Sequence, residues 1–261
     1  MSTTTGTKTP FIWYELMSSD HAAAFKFYSH VLGWTVAQNE FASPEYTIVN
    51  AGKFNVGGLM TLPAEACTAG ARPCWMTYLG VDDLDATIAR VTTAGGKVTR
   101  PPSDIPGVGR WAMLADPQGA MFIVMKPISQ EPLPLIPDGT PGTVGWRELH
   151  AGDGTAACKW YAEQFGWKQV SEMDMGAMGF YRLFSTGGDL PEGGMMTKMP
   201  DTPLPFWTFY FNVDGLDAAV ERVKASGGQI LMAQHQVPTG QWIAYIADPQ
   251  GATFGLLAQQ R

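Results

Sequence analysis

The chain has 261 residues, of which 45% are hydrophobic and 16% charged, with a formal net charge of -7. That length accommodates two ordinary domains, each able to bury a core, and the composition is globular rather than disordered. The acidic balance, without any basic cluster, argues against nucleic acid as a partner, and no apolar run is long enough to span a membrane.

Met1–Pro10 is polar and threonine-rich, without the apolar centre of a signal peptide. Three cysteines, Cys67, Cys74 and Cys158, are too few for a disulfide framework and read as reduced thiols of a cytoplasmic protein. Residues 11–17 read as a strand, followed by a helix start at Ser18–Asp20, where a short polar side chain can cap. Ala24, Phe27, Tyr28, Val31 and Leu32 then fall on one helical face, and Gly33 stops the helix. Short strands are expected over 34–38, 46–50 and 56–62, completing a βαβββ unit. The order then starts again. Residues 75–81 form a strand. A helix with Leu84, Ile88 and Val91 on one face follows Asp82 or Asp83 and ends at Gly95-Gly96. Strands over 97–100, 110–114 and 121–126 close the unit, with a loop at 101–109 and a turn at Asp116-Pro117-Gln118-Gly119.

The whole pattern recurs. Trp13-Tyr14-Glu15-Leu16 is answered 133 residues later by Trp146-Arg147-Glu148-Leu149, and at the same offset Tyr28 meets Tyr161 and Gly33-Trp34 meets Gly166-Trp167. Val81-Asp82 answers Val213-Asp214, and Asp116-Pro117-Gln118-Gly119-Ala120 answers Asp248-Pro249-Gln250-Gly251-Ala252. A repeat this long is a duplicated domain. Residues 8–127 and 142–261 are therefore expected as two domains, joined by a stiff linker over 128–141 in which prolines recur.

The helix end Phe27-Tyr28…Leu32-Gly33-Trp34, the Val81-Asp82-Asp83-Leu84 opening of the second helix and the Asp116-Pro117-Gln118-Gly119 turn resemble elements of the vicinal-oxygen-chelate superfamily, which holds glyoxalases, bleomycin-resistance proteins and extradiol dioxygenases. All three recur in the second half, so the resemblance covers nearly the whole chain. Among two-domain members, the Trp-x-Glu-Leu start is similar to the mycobacterial secreted-antigen type and to hydroxylase-type proteins. The resemblance implies an α+β fold of two tandem domains, each with paired βαβββ units forming an eight-stranded curved cup with helices outside.

In metal-using members, four strand positions per domain converge on one divalent ion. Those positions match Trp13, Gly58, Met76 and Ile123 in the first half and Trp146, Gly194, Thr208 and Gly255 in the second. None supplies an imidazole or carboxylate ligand, so neither a metal nor another cofactor is expected. His21 and His30 fall on the first helix and His235 in a loop, and none of the four histidines, His150 included, sits at a paired strand position in this reading. Trp13 and Glu15 alternate onto one strand face, as do Trp146 and Glu148. With Met76 and Thr208 they are the candidate ligand-binding residues, an aromatic floor beside a carboxylate that suits an amphipathic or cationic organic molecule. Gly58, Gly194 and Gly255 leave space in the cups on this reading, the second being the roomier. Alternatively, the glutamates bond their neighbours and the tryptophans plug a filled core. No catalytic residue is assigned. A small organic ligand is the expected partner, with no nucleic acid or membrane, and a homodimer is left open. A lyase, hydroxylase or dioxygenase-type enzyme of the same superfamily and a structural protein with filled cups remain the rival functions.

Overall fold

The computed structural model describes residues 8–37, 46–129 and 131–261. The expectation for the extreme N-terminus, the last residue of the expected 34–38 strand and one linker residue, Gln130, lie outside them. The first half runs β1 (Phe11–Ser18), α1 (His21–Leu32), β2 (Thr35–Val36), β3 (Tyr46–Ala51), β4 (Phe54–Thr61), α2 (Ala64–Thr68), β5 (Cys74–Gly80), α3 (Leu84–Thr93), β6 (Lys97–Ile105), β7 (Gly109–Ala115) and β8 (Met121–Pro127). The second half repeats it with β9 (Val144–Ala151), α4 (Gly154–Phe165), β10 (Lys168–Asp174), β11 (Phe180–Ser185), β12 (Gly193–Thr197), β13 (Phe206–Asn212), α5 (Leu216–Ala225), β14 (Gln229–Gln236), β15 (Trp242–Ala247) and β16 (Thr253–Ala258).

Each half lays its eight strands in one mixed sheet, ordered β2-β3-β4-β1-β5-β8-β7-β6 and β10-β11-β12-β9-β13-β16-β15-β14. Within each βαβββ unit the helix makes the crossover that a parallel pair requires. Accordingly β1 pairs parallel with β4 and β5 with β8, while the remaining pairs of the unit are antiparallel hairpins. The caps follow the sequence. The Asp20 side chain accepts from the Ala23 amide at 2.9 Å, Asp83 accepts from Ala86 at 2.9 Å, and Gly33 closes α1 at φ 75°.

Three expectations are corrected here. The stretch at Pro101-Pro102 belongs to β6, which runs on to Ile105. This is an edge strand of its sheet, where a missing N–H costs no ladder bond. His235 likewise lies on edge strand β14 rather than in a loop. On α3 the buried face is Leu84, Thr87 and Val91, and Ile88 is only half-buried. Among the described residues no helix is long and apolar enough to cross a membrane.

The chain divides into two compact units, and each draws on both halves. One holds Thr77–Leu133 and Arg147–Trp207, with the segment ending at Ile12; the other holds Trp13–Met76, Pro134–Trp146 and Thr208–Arg261. Inside each unit the same bonds exchange between halves. Asp248, in the last turn of the second half, accepts from the Tyr28 hydroxyl on α1 at 3.1 Å, and Trp75 Nε1 donates to that same hydroxyl at 3.0 Å. In the other unit Asp116 accepts from Tyr161 on α4, and Trp207 Nε1 donates to Tyr161, both at 3.4 Å. Trp34 Nε1 donates to the Gly142 carbonyl at 2.7 Å, and its counterpart Trp167 donates to Thr9 at 2.8 Å. Arg222 reaches the Val31 carbonyl at the end of α1, and Arg90 reaches that of Gln164 on α4. Around these bonds the rings stack: Tyr28 on Trp34 at 5.5 Å between centroids and Tyr161 on Trp167 at 5.1 Å.

Burial raises the carboxyl pKa values of Asp116 and Asp248, and bonds from their own turn amides and from the tyrosines oppose that shift. Both tyrosine hydroxyls are held protonated, first by burial and then by the aspartate charge. Tyr28→Phe deletes a donor to Asp248 and the acceptor of Trp75 inside the core. It is expected to lower stability by about 1–3 kcal/mol. Tyr161→Phe, whose bonds are longer, should cost less. Urea unfolding of the two variants checks the order.

Candidate functional site

The unit containing Arg147–Trp207 holds a polar cluster on one face of its sheet. Glu148 and His150 alternate along β9 and point to the same side. The Tyr181 hydroxyl on β11 donates to Glu148 Oε2 at 2.7 Å, while the other carboxylate oxygen, Oε1, lies 2.8 Å from His150 Nε2. The imidazole lies flat on Phe206 of β13, with 4.6 Å between centroids and 5° between planes. Tyr181 is buried, but the side chains of Glu148 and His150 keep 14% and 21% of their surface exposed. The cluster is therefore shielded on its aromatic side and open at its polar tips.

Register explains the tyrosine. Glu148 stands opposite Gly194 on the parallel neighbour β12, and Gly194 stands opposite Leu183 on β11. Tyr181, two residues from Leu183, shares its face and lies diagonally across Gly194, within reach of a long side chain. A Cβ at position 194 would overlap the Tyr181 ring. The first half repeats this arrangement. Glu15 pairs with Gly58, Gly58 with Ile48, and Tyr46 covers Gly58 so closely that a Cβ there would overlap its hydroxyl. Gly255 on β16 likewise faces the ring of Tyr210, its register partner on β13. The space expected at these three glycines is thus filled by tyrosine rings: glycine is required there because an aromatic side chain from a neighbouring strand already occupies the volume.

In the first-half cluster Trp13 Nε1 donates to the Tyr46 hydroxyl at 2.9 Å. Burial, then the charge of Glu15, hold that hydroxyl protonated well above the usual phenol range, and Tyr46 also bonds Glu15. Glu15 is buried with 4% exposure. Cys74, at the start of β5, feels the same carboxylate. Its thiol is pushed up to about 11, mainly by burial and secondly by Glu15.

The six expected ligand-binding residues are placed as follows. Trp13, Glu15 and Met76 belong to one compact unit, Met76 being buried and two residues from Cys74 on β5. Trp146 and Thr208 belong to that same unit, and Glu148 belongs to the other. Thr208 is buried, and its hydroxyl has no partner among the described residues. The sequence reading missed His150, which sits on β9 and pairs with Glu148. The signal was present: continuing the alternation Trp146, Glu148 by one step reaches His150. It also missed Tyr46 and Tyr181, whose role becomes visible only once strand register is known. Of the other histidines, His21 Nε2 meets Thr47 Oγ1 at 2.7 Å and His30 Nδ1 meets Ser226 Oγ at 2.7 Å. Among the described residues no three histidine, cysteine, aspartate or glutamate side chains group as a metal site.

The two clusters differ at two positions. At the repeat offset Met17 replaces His150, and Cys74, one step before Trp75, replaces Phe206, which stands one step before Trp207. The first half is thus the thiol and thioether version of a site that carries an imidazole and a phenyl ring in the second.

The sequence profile of the Glyoxalase/Bleomycin resistance protein/Dioxygenase superfamily matches residues 11–124 and 143–256. Among curated proteins, the chain is 32% identical over 247 residues to "Putative glyoxylase CFP32" of Mycobacterium tuberculosis, covering 94% of this chain and 93% of that protein. It is 32% identical over 260 residues to "Anthracycline biosynthesis protein DnrV" of Streptomyces peucetius, covering 94% and 91%. Among solved structures, it resembles the Mn(II)-bound glyoxalase from Novosphingobium aromaticivorans with a TM-score of 0.66 at 18% identity, over 97% of this chain and 82% of that one. It resembles the homoprotocatechuate 2,3-dioxygenase of B. fuscum with a TM-score of 0.67 at 14% identity, over 98% and 73%. At such identities the two structures attest the fold alone.

Two outcomes follow from the packing. Gly194→Ala should displace Tyr181 from Glu148 and cost about 1–3 kcal/mol by overpacking, measured as a fall in the unfolding midpoint. In alkylation with iodoacetamide, exposed Cys67 should react well before Cys74, whose rate should climb with pH up to about 11. Glu15→Gln removes the charge that opposes the thiolate, so it should move the Cys74 profile to lower pH.

Proposed function

Because the chain belongs to the Glyoxalase/Bleomycin resistance protein/Dioxygenase superfamily, we propose that it binds a small organic molecule at the glutamate–tyrosine sites of its halves, without the ligand set of metal-using members. The observation that carries this reading is the Glu148 group. A carboxylate held by Tyr181 and His150 reaches solvent beside the flat face formed by His150 and Phe206. A binding site combines these two features: aromatic surface for affinity and a few fixed polar atoms for orientation. The relative named for anthracycline biosynthesis agrees with a small-molecule partner.

A divalent metal does not fit this donor set. Both oxygens of Glu148 are engaged within the cluster, by Tyr181 and by His150. A further ligand at position 194 would have to displace the Tyr181 ring. No step in this reading passes through a metal. Trp13, Glu15 and Met76, within one compact unit, and Glu148, within the other, remain the residues proposed to contact ligand. The buried Glu15 makes the first site the more closed of the two.

Titration with a series of planar aromatic compounds, cationic, neutral and anionic, followed by tryptophan fluorescence, tests the proposal. Saturable quenching is expected, weakened about tenfold by Glu148→Gln, the scale of one charged hydrogen bond. Unsaturable quenching across the whole series, with no rise in melting temperature, would overturn it.

A further inference from the structure

The Glu148–His150 pair is more than a binding surface requires. A carboxylate accepts hydrogen bonds and does not donate them, so the imidazole facing Glu148 Oε1 must present Nε2 as N–H. That fixes the tautomer. In the neutral ring the lone pair then lies on Nδ1, the nitrogen turned away from the carboxylate. Nδ1 has no partner among the described residues, and the side chain keeps 21% of its surface exposed. Phe206 covers one face of the ring and fixes its plane. Tyr181, donating to Oε2, fixes the carboxylate that fixes the imidazole. The order base, orienting carboxylate, anchoring hydroxyl is that of an activated proton acceptor: each group is held by the next, and the imidazole still keeps part of its surface open.

We propose that His150 Nδ1 is a general base, that Glu148 is its positioning residue, and that the second-half site removes an acidic proton from the edge of a planar aromatic molecule stacked beside the imidazole. The inference rests on the binding reading above and adds a reaction to it. It is confined to the second half, since Met17 offers no proton acceptor at the equivalent place in the first.

The probe is 5-nitrobenzisoxazole, a planar aromatic carbon acid. Nδ1 takes the proton from its ring carbon, the electrons of that carbon–hydrogen bond complete a nitrile, and the nitrogen–oxygen bond breaks to leave its pair on a phenolate oxygen. The imidazolium returns its proton to water, so the reaction is an isomerisation plus proton release and needs no other reactant. The phenolate is followed by its absorbance. Saturable turnover is expected in the intact chain, falling about 100-fold in His150→Gln, the usual contribution of a general base. Glu148→Gln should lower kcat about tenfold and leave the imidazole as a mixture of its two tautomers in nitrogen NMR, because the amide no longer obliges Nε2 to carry the proton. A merely structural role for Glu148 would not move that tautomer balance.

A wild-type rate no higher than that of free imidazole at equal concentration, or a rate unchanged in His150→Gln, would overturn the proposal. Nitrogen NMR of the labelled wild-type protein guards against a misfolded variant: Nε2 protonated and Nδ1 bare is the expected state, and the opposite tautomer overturns the proposal. Fluorescence titration with the product phenol separates the two readings. Saturable binding with His150-independent turnover removes catalysis and keeps binding, whereas the absence of both removes both.

Discussion

A buried aspartate at the end of a β-hairpin, bonded to a tyrosine from the opposite half of the chain, organises this molecule. In Asp248 one carboxylate oxygen accepts amides of its own turn, from Gln250 and Ala252, and the other accepts Tyr28. Asp116 does the same with Gln118, Gly119, Ala120 and Tyr161. A charge in a core is tolerated only when such bonds replace its water. Each turn therefore needs the other half's helix, and each helix supplies, besides the tyrosine, a last-turn carbonyl that takes an arginine from the other half. The stacked tryptophans of the two cores assemble around these bonds.

Much of this architecture is readable in the residues, because local rules decide it. Asp20, Asp83 and Gly33 bound their helices for reasons contained in a few neighbouring positions, and the turn Asp116-Pro117-Gln118-Gly119 announces the hairpin it makes. What cannot be read is the exchange. Two copies of one sequence offer two equivalent tyrosines for two equivalent aspartates, so pairing within a half and pairing across halves satisfy the same chemistry. Only the geometry of the folded chain distinguishes them. The glycines pose a related difficulty. Gly58 and Gly194 look like vacancies in a strand, but their meaning depends on Tyr46 and Tyr181, which reach them diagonally from another strand. His150 is within reach of strand alternation, two residues beyond Glu148, but its pairing with that carboxylate is a matter of side-chain geometry that alternation does not give.

The two clusters differ at two positions while keeping their frames. Glu15, Tyr46 and Gly58 repeat Glu148, Tyr181 and Gly194, yet Met17 and Cys74 stand where His150 and Phe206 do. The shared frame is what the sheet demands: the glycine admits the ring, and the ring's hydroxyl donates a hydrogen bond to the glutamate. The variable pair has no such duty, so its chemistry can change without disturbing the register. That separation of support from tip is why one scaffold can carry methionine and cysteine in one half and histidine and phenylalanine in the other.

The exchange of tyrosines between halves makes the chain, in effect, a homodimer whose partners have been sewn together. Two separate copies of one half would have to find each other in solution, and their identical sequences would oblige both sites to change whenever one did. The linker removes both constraints: it turns encounter into an intramolecular event, and it gives each copy its own heredity. A histidine could then arise in one site while a methionine stayed in the other, a specialisation that a symmetric pair of identical halves has no means to encode.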